Sequence, residues 1–256
     1  MKKAPSPSWS ARVTERTTLP LFLPQAHIFF KPEQIEDYQI LVLGGRAPSS
    51  SWLSNAASGF KKKRVWAADH GVDACMSAGI VPRHVLGDFD SISEEGKTWL
   101  RRLGAEVEIE YFPAEKDLTD FQLCLNRIKG DLVVTGCWGG RFDHAFANVF
   151  SALWGLKSGA KVRAFADESE ILIPLTAESG SASLELRLFA EVSAISLLPL
   201  CESCEGVDIQ GTKWELAGAT LAQGRPYAVS NVPAGEKISV KIEKGIVGVY
   251  CFMGTQ

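Results

Sequence analysis

From Gln39 onward the chain repeats one unit: a short apolar run, a polar turn, then an amphipathic stretch at helical spacing. Nothing else in the sequence constrains the fold as strongly. Near-continuous apolar strands separated by helices predict a mostly parallel sheet covered on both faces. Residues 40–43 enter the turn Gly44-Gly45, residues 65–68 end at Asp69, and residues 84–87 precede Asp88. Residues 107–112 and 132–135 supply two further strands. Between them, Val72, Cys75 and Met76 recur at helical spacing, and Ser93 with Glu94 and Glu95 opens a helix carrying Trp99, Leu100 and Leu103. Residues 117–128 read as a helix with Phe121, Cys124, Leu125 and Ile128 on one side. Residues 143–156 read as another, burying Phe146, Val149, Phe150 and Leu153.

After about residue 168 the helical period gives way to alternation with a period of two, over residues 184–198, 206–217, 227–232 and 237–252. The expected organisation is an α/β N-terminal domain with a mostly parallel sheet over residues 39–168, then a small antiparallel β-sandwich domain over residues 181–256. Residues 1–38 are expected to be a loosely ordered extension. They begin basic and rich in Ser, Thr and Pro, and the uncharged stretch that follows is broken by Pro20 and Pro24.

The formal net charge of −3 argues against a surface dedicated to long nucleic acids. No apolar run reaches the roughly 18–20 residues that span a bilayer. The first residues lack the apolar core of a secretory signal. Six cysteines are too few for a disulfide framework, and Cys201 with Cys204 forms a single Cys-x-x-Cys without a second pair. Reduced thiols and a cytoplasmic location are expected.

The acidic residues fall where the strands end. Asp69 follows one strand, Asp88 and Asp90 another, Asp117 and Asp120 a third, and Arg141 with Asp143 a fourth. In an open parallel sheet, ligands bind beyond the carboxyl ends of the strands. Several carboxylates gathered there repel one another unless a cation joins them. Asp88-Phe89-Asp90 can aim two carboxylates at one hard cation while Phe89 turns away, which suits Mg²⁺ bound with substrate phosphates. The same residues also read as a solvated loop, with Ser91 or Ser93 capping the next helix. Asp117 as N-cap with Asp120 three residues on makes a variant capping box, a role compatible with ligand contact. Gly139-Gly140-Arg141 lets backbone N–H groups and a guanidinium fork approach an anion, whereas Asp143 as a plain N-cap beside an exposed His144 is the simpler reading. Gly96-Lys97-Thr98 lacks the earlier glycine of a phosphate-binding P-loop, and no Gly-x-Gly-x-x-Gly follows Gly44-Gly45.

Four segments in this order, Ala67-Ala68-Asp69, Gly87-Asp88-Phe89-Asp90-Ser91, Lys116-Asp117-Leu118-Thr119-Asp120 and Gly139-Gly140-Arg141-Phe142-Asp143-His144, resemble the thiamine pyrophosphokinase (thiamine diphosphokinase) family. Gly211-Thr212-Lys213-Trp214 and Ser230-Asn231 resemble its thiamine-side elements. The resemblance covers roughly residues 40–252. It implies transfer of the diphosphate of ATP to the hydroxyl of thiamine, yielding thiamine diphosphate and AMP, in a homodimer whose subunits share each site. The implied Mg²⁺ ligands are Asp69, Asp88 and Asp90, and the implied catalytic set is Asp88, Asp90, Asp117, Asp120, Arg141 and Asp143. ATP would be met by Asp69, Gly71, Lys116, Thr119, Gly139, Gly140, Arg141 and His144, and thiamine by Trp214, Ser230 and Asn231. Trp214 suits cation–π stacking on a thiazolium, though it also reads as a core tryptophan of the β domain. The family has Asp-Gly-Gly where this chain has Asp69-His70-Gly71, and a positive φ at the first glycine position would strain His70. Two other classes fit part of the pattern. One is a different metal-dependent transferase or pyrophosphokinase using Asp88 and Asp90. The other is a non-catalytic thiamine- or nucleotide-binding regulator.

Overall fold

The computed structural model describes residues 20–58, 64–113, 115, 117–177 and 180–254. The first surprise lies at the start of the chain. Strands β1 (Leu21–Leu23) and β2 (Ala26–Lys31) form an antiparallel hairpin, and β2 pairs along its length with a strand some 150 residues later, with Ile28 opposite Leu186. The expectation of a loosely ordered segment is therefore corrected for these residues; the part of it concerning residues 1–19 lies outside the described residues. The reason is a period of two that Pro20 and Pro24 disguise. Ala26, Ile28 and Phe30 all point into the core while the residues between them face outward.

Next come β3 (Tyr38–Val42), α1 (Ser50–Ala57), β4 (Val65–Ala68), α2 (Gly71–Ser77), β5 (His84–Gly87), α3 (Glu94–Leu103), β6 (Glu108–Tyr111), α4 (Asp120–Arg127), β7 (Gly130–Thr135), α5 (Phe142–Ser158) and β8 (Ala160–Ala166). Their strands stand in the order β8-β7-β3-β4-β5-β6, every pair parallel. The remainder is all β: β9 (Glu170–Ala177), β10 (Ala182–Leu188), β11 (Ala194–Pro199), β12 (Ser203–Gln210), β13 (Leu216–Ala222), β14 (Lys237–Ile242) and β15 (Gly245–Phe252). Residues 227–232, expected as a strand, contribute only the isolated bridge of Asn231 to Ile195.

Among the described residues two sheets result. The parallel sheet continues through antiparallel β9, β15 and β11 into nine strands, and the other sheet runs β1-β2-β10-β14-β12-β13, all antiparallel. The fold class is as expected, an α/β portion with a mostly parallel sheet and an antiparallel β-sandwich. The sandwich is made by stacking the six-stranded sheet on the antiparallel wing of the nine-stranded one. One apolar core joins them, with Ile28, Leu186 and Ile238 from one sheet against Ile171, Ile195 and Val249 from the other.

Helix α5 departs from its expected packing. Its buried residues are Ser151, Ala152 and Gly155, small side chains that bring it close to α4, where a Cβ at Gly155 would sit 3.2 Å from Leu125. The aromatic stripe points elsewhere: Phe142 is 80% exposed and Phe146 55%, while Val149, Phe150 and Leu153 are half-buried. Phe142, Phe146 and Phe150 contact one another in series along the helix. A contiguous apolar face of this kind marks an interaction surface.

Candidate functional site

Strands β3 and β7 are neighbours whose connections leave in opposite directions, so the crevice beyond their carboxyl ends is the switch point where α/β sheets bind ligands. The loop after β3 (Leu43-Gly44-Gly45-Arg46) faces the loop after β7 (residues 136–141) there, joined by Gly45 N–H to Gly136 O at 2.7 Å. The acidic loops after β4, β5 and β6 lie alongside.

Asp69 leaves β4 with φ of 45°, a left-handed conformation costly for a residue with a Cβ. Its amide donates to Leu86 O at 3.1 Å, and its carboxylate accepts the Phe89 N–H at 3.2 Å. Gly87 makes this approach possible, because a Cβ there would lie 1.8 Å from Asp69 Oδ1. Phe89, at φ 64°, turns its ring onto the core and the Tyr111 ring, so Asp88 and Asp90 flank it on the open side. Asp90 N–H donates to Asp88 Oδ1 at 3.2 Å.

Like charges set the electrostatics. Burial, then a hydrogen bond to Asp120 and the charge of Asp120, push the Asp69 carboxyl up to about 7. A hydrogen bond with Asp88 and its charge raise Asp90, which is fully exposed. Asp69 and Asp120, two carboxyls in contact, hold one proton between them. A hard divalent cation fits this set: the donors are all oxygen, and a cation would relieve the repulsion that raises them. No three or more of His, Cys, Asp and Glu among the described residues converge to hold a metal unaided. A small hard cation takes one or two carboxylates and completes its shell with phosphate oxygens.

Several expected roles change at this edge. The N-cap of α4 is Thr119, not Asp117: Thr119 accepts from Gln122 N–H at 3.2 Å while the Gln122 side chain accepts from Thr119 N–H at 3.1 Å. A hydroxyl and an amide close this box without placing a carboxylate at the cap. Asp120 instead sits in the first turn beside Asp69, and Asp117 is exposed. Lys116 lies outside the described residues. Ser93 caps α3 as expected, accepting from Gly96 N–H at 2.9 Å. His70 has φ of −56°, so it carries no strain; the left-handed residue is Asp69 itself. Gly71 has a packing reason, since a Cβ would lie 2.1 Å from Val42 O.

Helix α5 starts at Phe142 with Arg141 at the cap position and no side-chain cap bond, so Asp143 is not its N-cap. Arg141 and Asp143 form a forked pair, Nε to Oδ1 at 3.0 Å and Nη2 to Oδ2 at 2.5 Å, holding Asp143 below the usual carboxylate range. Both are exposed, and such a pair exchanges readily. Gly139 and Gly140, at φ 77° and 65°, turn the preceding loop through conformations closed to most residues. His144 is exposed.

A second constellation lies at the far edge of the nine-stranded sheet. Ile195 and Leu197 of β11, with Ile209, Trp214, Tyr227 and Asn231, line a cavity of about 190 Å³. Trp214 is 56% exposed, so it is not a core tryptophan. Asn231 is fully committed: Oδ1 accepts from Trp214 N–H at 3.1 Å and Val232 N–H at 2.9 Å, and Nδ2 donates to Thr212 Oγ1 at 3.0 Å and Trp214 O at 2.6 Å. It fixes the turn that presents Trp214. Ser230 is exposed at φ 57°, its amide donating to Ser196 Oγ at 3.0 Å.

Residues 59–164 match the model of the thiamin pyrophosphokinase catalytic domain, and residues 183–247 that of the thiamin pyrophosphokinase vitamin B1 binding domain, together more than half of the chain. The chain belongs to the thiamin pyrophosphokinase family. Thiamine pyrophosphokinase of Bacillus subtilis is 27% identical over 183 residues, 70% of this chain and 82% of that protein. Thiamine pyrophosphokinase 1 of Oryza sativa subsp. japonica is 26% identical over 65% of this chain and 64% of its own length. The crystal structure of the Bacillus subtilis thiamine pyrophosphokinase shares the fold, with a TM-score of 0.73 at 22% identity over 86% of this chain and 100% of that one.

Within this family fold, residues that went unnoticed in the sequence hold the site together. Asp73, in the first turn of α2, accepts from Ser93 N–H at 3.0 Å and meets His70 Nδ1 at 2.9 Å, lashing the β4 and β5 loops to each other. Its spacing from Ser93 carries no local signal. Gly44-Gly45 does carry one: a strand running into a glycine pair at the switch point is where a backbone must approach another closely. A Cβ at Gly45 would lie 2.5 Å from Gly136 O.

Proposed function

We propose that this chain transfers the diphosphate of ATP to the hydroxyl of thiamine, giving thiamine diphosphate and AMP. The observation that carries the reading is the coincidence of the two family segments with two different kinds of site. The catalytic segment bears the acidic edge with its glycine-rich loop, and the vitamin-binding segment bears an exposed tryptophan over an apolar cavity. Another metal-dependent transferase would leave the second constellation without a task.

In the reaction the thiamine hydroxyl oxygen forms a bond to the β-phosphorus and releases its proton to solvent, while the bond from that phosphorus to the α,β-bridging oxygen breaks, with AMP keeping the oxygen. Gly139 and Gly140 offer backbone donors to the triphosphate, and the first turn of α5, where His144 N–H is held by Asp143 Oδ1, adds the partial positive charge of a helix N-terminus. Arg141 exchanges Asp143 for phosphate oxygens. One or two of Asp69, Asp88 and Asp90 would hold Mg²⁺ together with phosphate oxygens, and the ion would supply charge neutralisation to the transferring group. Asp120, in contact with Asp69, and the exposed Asp117 and Asp143 are placed to orient the alcohol or solvent. Trp214 offers its face to the cationic ring. Gly71, Lys116, Thr119 and His144 are assigned to the nucleotide on the resemblance of their segments, and Ser230 with Asn231 to thiamine; Asn231 acts by holding the Trp214 turn.

The working unit in this reading is a homodimer with shared sites. Strand β11, which borders the tryptophan cavity, stands six strand positions from β4, which carries Asp69. At about 4.8 Å per strand that is roughly 29 Å, far beyond the reach of a hydroxyethyl arm. A second copy can bring its cavity to the acidic edge, and the exposed aromatic stripe of α5 starts beside Arg141. We place the reaction in the cytoplasm, supported by six unpaired cysteines. Among the described residues no helix is long and apolar enough to cross a membrane. The test is turnover with Mg²⁺, ATP and thiamine: AMP and thiamine diphosphate in equal amounts are expected. ADP with thiamine monophosphate would place attack at the γ-phosphorus and refute the reading.

A further inference from the structure

We propose that Arg46 is a positioning residue for the triphosphate loop, acting through an ion-pair strap laid across the carboxyl end of β7. The strap starts in the loop after β3 and ends at Asp167, immediately after β8. Since β7 stands between those two strands, the Arg46 side chain must pass over the end of β7 to reach its partner. Its Nε and Nη2 donate to Asp167 Oδ2 at 3.1 and 2.6 Å, and Nη2 also donates to Glu170 Oε1 at 2.7 Å.

The anchor is built rather than incidental. The Asp167 side chain is 2% exposed, and its other oxygen accepts from Ser169 N–H at 2.8 Å and Glu170 N–H at 3.0 Å. Glu170 Oε2 accepts from Tyr250 OH at 2.8 Å, tying the anchor to β15. At the other end the strap grips the loop after β7. Arg46 N–H donates to Trp138 O at 2.5 Å, and a Cβ at Gly139 would lie 2.8 Å from Arg46 Cβ. Gly139 therefore rests on the stem of Arg46. A tethered side chain under a glycine turn fixes where the backbone N–H groups of residues 139–140 point, and donors set in advance cost no reorganisation when phosphate arrives.

Charge sharpens the consequence. Arg46 neutralises part of the charge on two carboxylates that flank the proposed triphosphate position. Without it, Asp167 is a buried, uncompensated anion and the region turns more negative, a change that repels ATP and does not repel a cationic co-substrate. Lysine in its place keeps the charge but cannot make the fork.

The proposal rests on the reading of residues 139–141 as the phosphate loop, so the experiment includes Arg141→Ala as a separate probe of that reading. Full-length Arg46→Gln, Arg46→Lys and Arg141→Ala are assayed for KM of ATP, KM of thiamine, melting temperature, and inhibition by inorganic triphosphate competing with ATP. Arg46→Gln should raise KM for ATP and Ki for triphosphate together by about tenfold, with KM for thiamine within about twofold, and Arg46→Lys should fall between. A merely structural role would lower the melting temperature and move both KM values alike, or neither; either result overturns the proposal. If Arg46→Gln fails to fold, Arg46→Lys decides: an unchanged Ki for triphosphate overturns the strap. If Arg141→Ala leaves triphosphate inhibition intact, the phosphate-loop reading fails, and the strap's assigned purpose with it. Failure of the Arg46 variants alone leaves that reading standing.

Discussion

Mixing two inactive variants tests the shared-site arrangement directly. Asp90→Asn damages the acidic edge and Trp214→Ala the tryptophan platform, and the two lie at opposite ends of one sheet, β5 and the turn beside β11 being seven strand positions apart. A two-fold dimer holds two equivalent sites, each built from the acidic edge of one subunit and the cavity of the other. With free exchange of equal amounts, half of the dimers are mixed. One site of each mixed dimer inherits both lesions, and the other inherits neither. Recovery should therefore reach roughly a quarter of the wild-type sites. The assay is AMP release after co-incubation, with subunit exchange confirmed by mass-tagged chains. If each chain built its own site, every site would carry one lesion. No recovery despite confirmed exchange would refute the strand-counting argument.

Phe146→Glu should shift sedimentation toward the monomer and lower activity at low protein concentration, because it buries a charge in the α5 stripe; a dimer unmoved at micromolar concentration would place the interface elsewhere. Gly87→Ala should remove most activity, since the new Cβ would drive out the Asp69 carboxylate, and it should cost stability as well because φ at this position is 142°; full activity would show that Asp69 tolerates displacement. Asp69, raised from 3.8 to about 7, makes the metal-free protein more stable when protonated, so this contribution is complete below about pH 4 and lost as pH rises through 7. Melting in EDTA should fall across that window, and Asp120→Asn should flatten the fall; an equal slope in the variant would dissociate the two carboxyls. Ile28→Ala should cost about 2–5 kcal/mol by denaturant titration, as for other fully buried aliphatic truncations, whereas a loosely attached hairpin would cost nearly nothing.

How far the sequence could be read depended on the range of the signal. Residues 39–168 alternate locally, so the parallel strands and the acidic residues at their ends were visible at once. Thr119 was missed as a cap because two aspartates bracket it, and only the Gln122 partnership separates it from them. From sequence the α5 stripe reads as core, because periodicity reports that a face is apolar and cannot say what covers it. Here small residues do the internal packing, and the aromatics are left for another surface. The hairpin of β1 and β2 escaped notice because two prolines are a local veto, whereas its support comes from β10, far away in sequence. Asp73, Arg46 and Asp167 carry no motif at all. Their roles exist only once β3, β7 and β8 lie side by side.

The pairing of β2 with β10 and of β15 with β9 has a consequence during synthesis. The hairpin is made some 150 residues before its partner β10, and β15, which joins β9 to β11, follows them all. Neither sheet can be completed before residues 237–252 have left the ribosome. Until then the nascent protein displays the unpaired edges of β9, β10 and β11. Long-range strand pairings of this kind fold slowly and pass through aggregation-exposed states. Chaperone demand should therefore concentrate on the interval before β14 and β15 emerge, and a stop codon only a few residues before Val249 should yield an insoluble product even though the whole acidic edge has already been made.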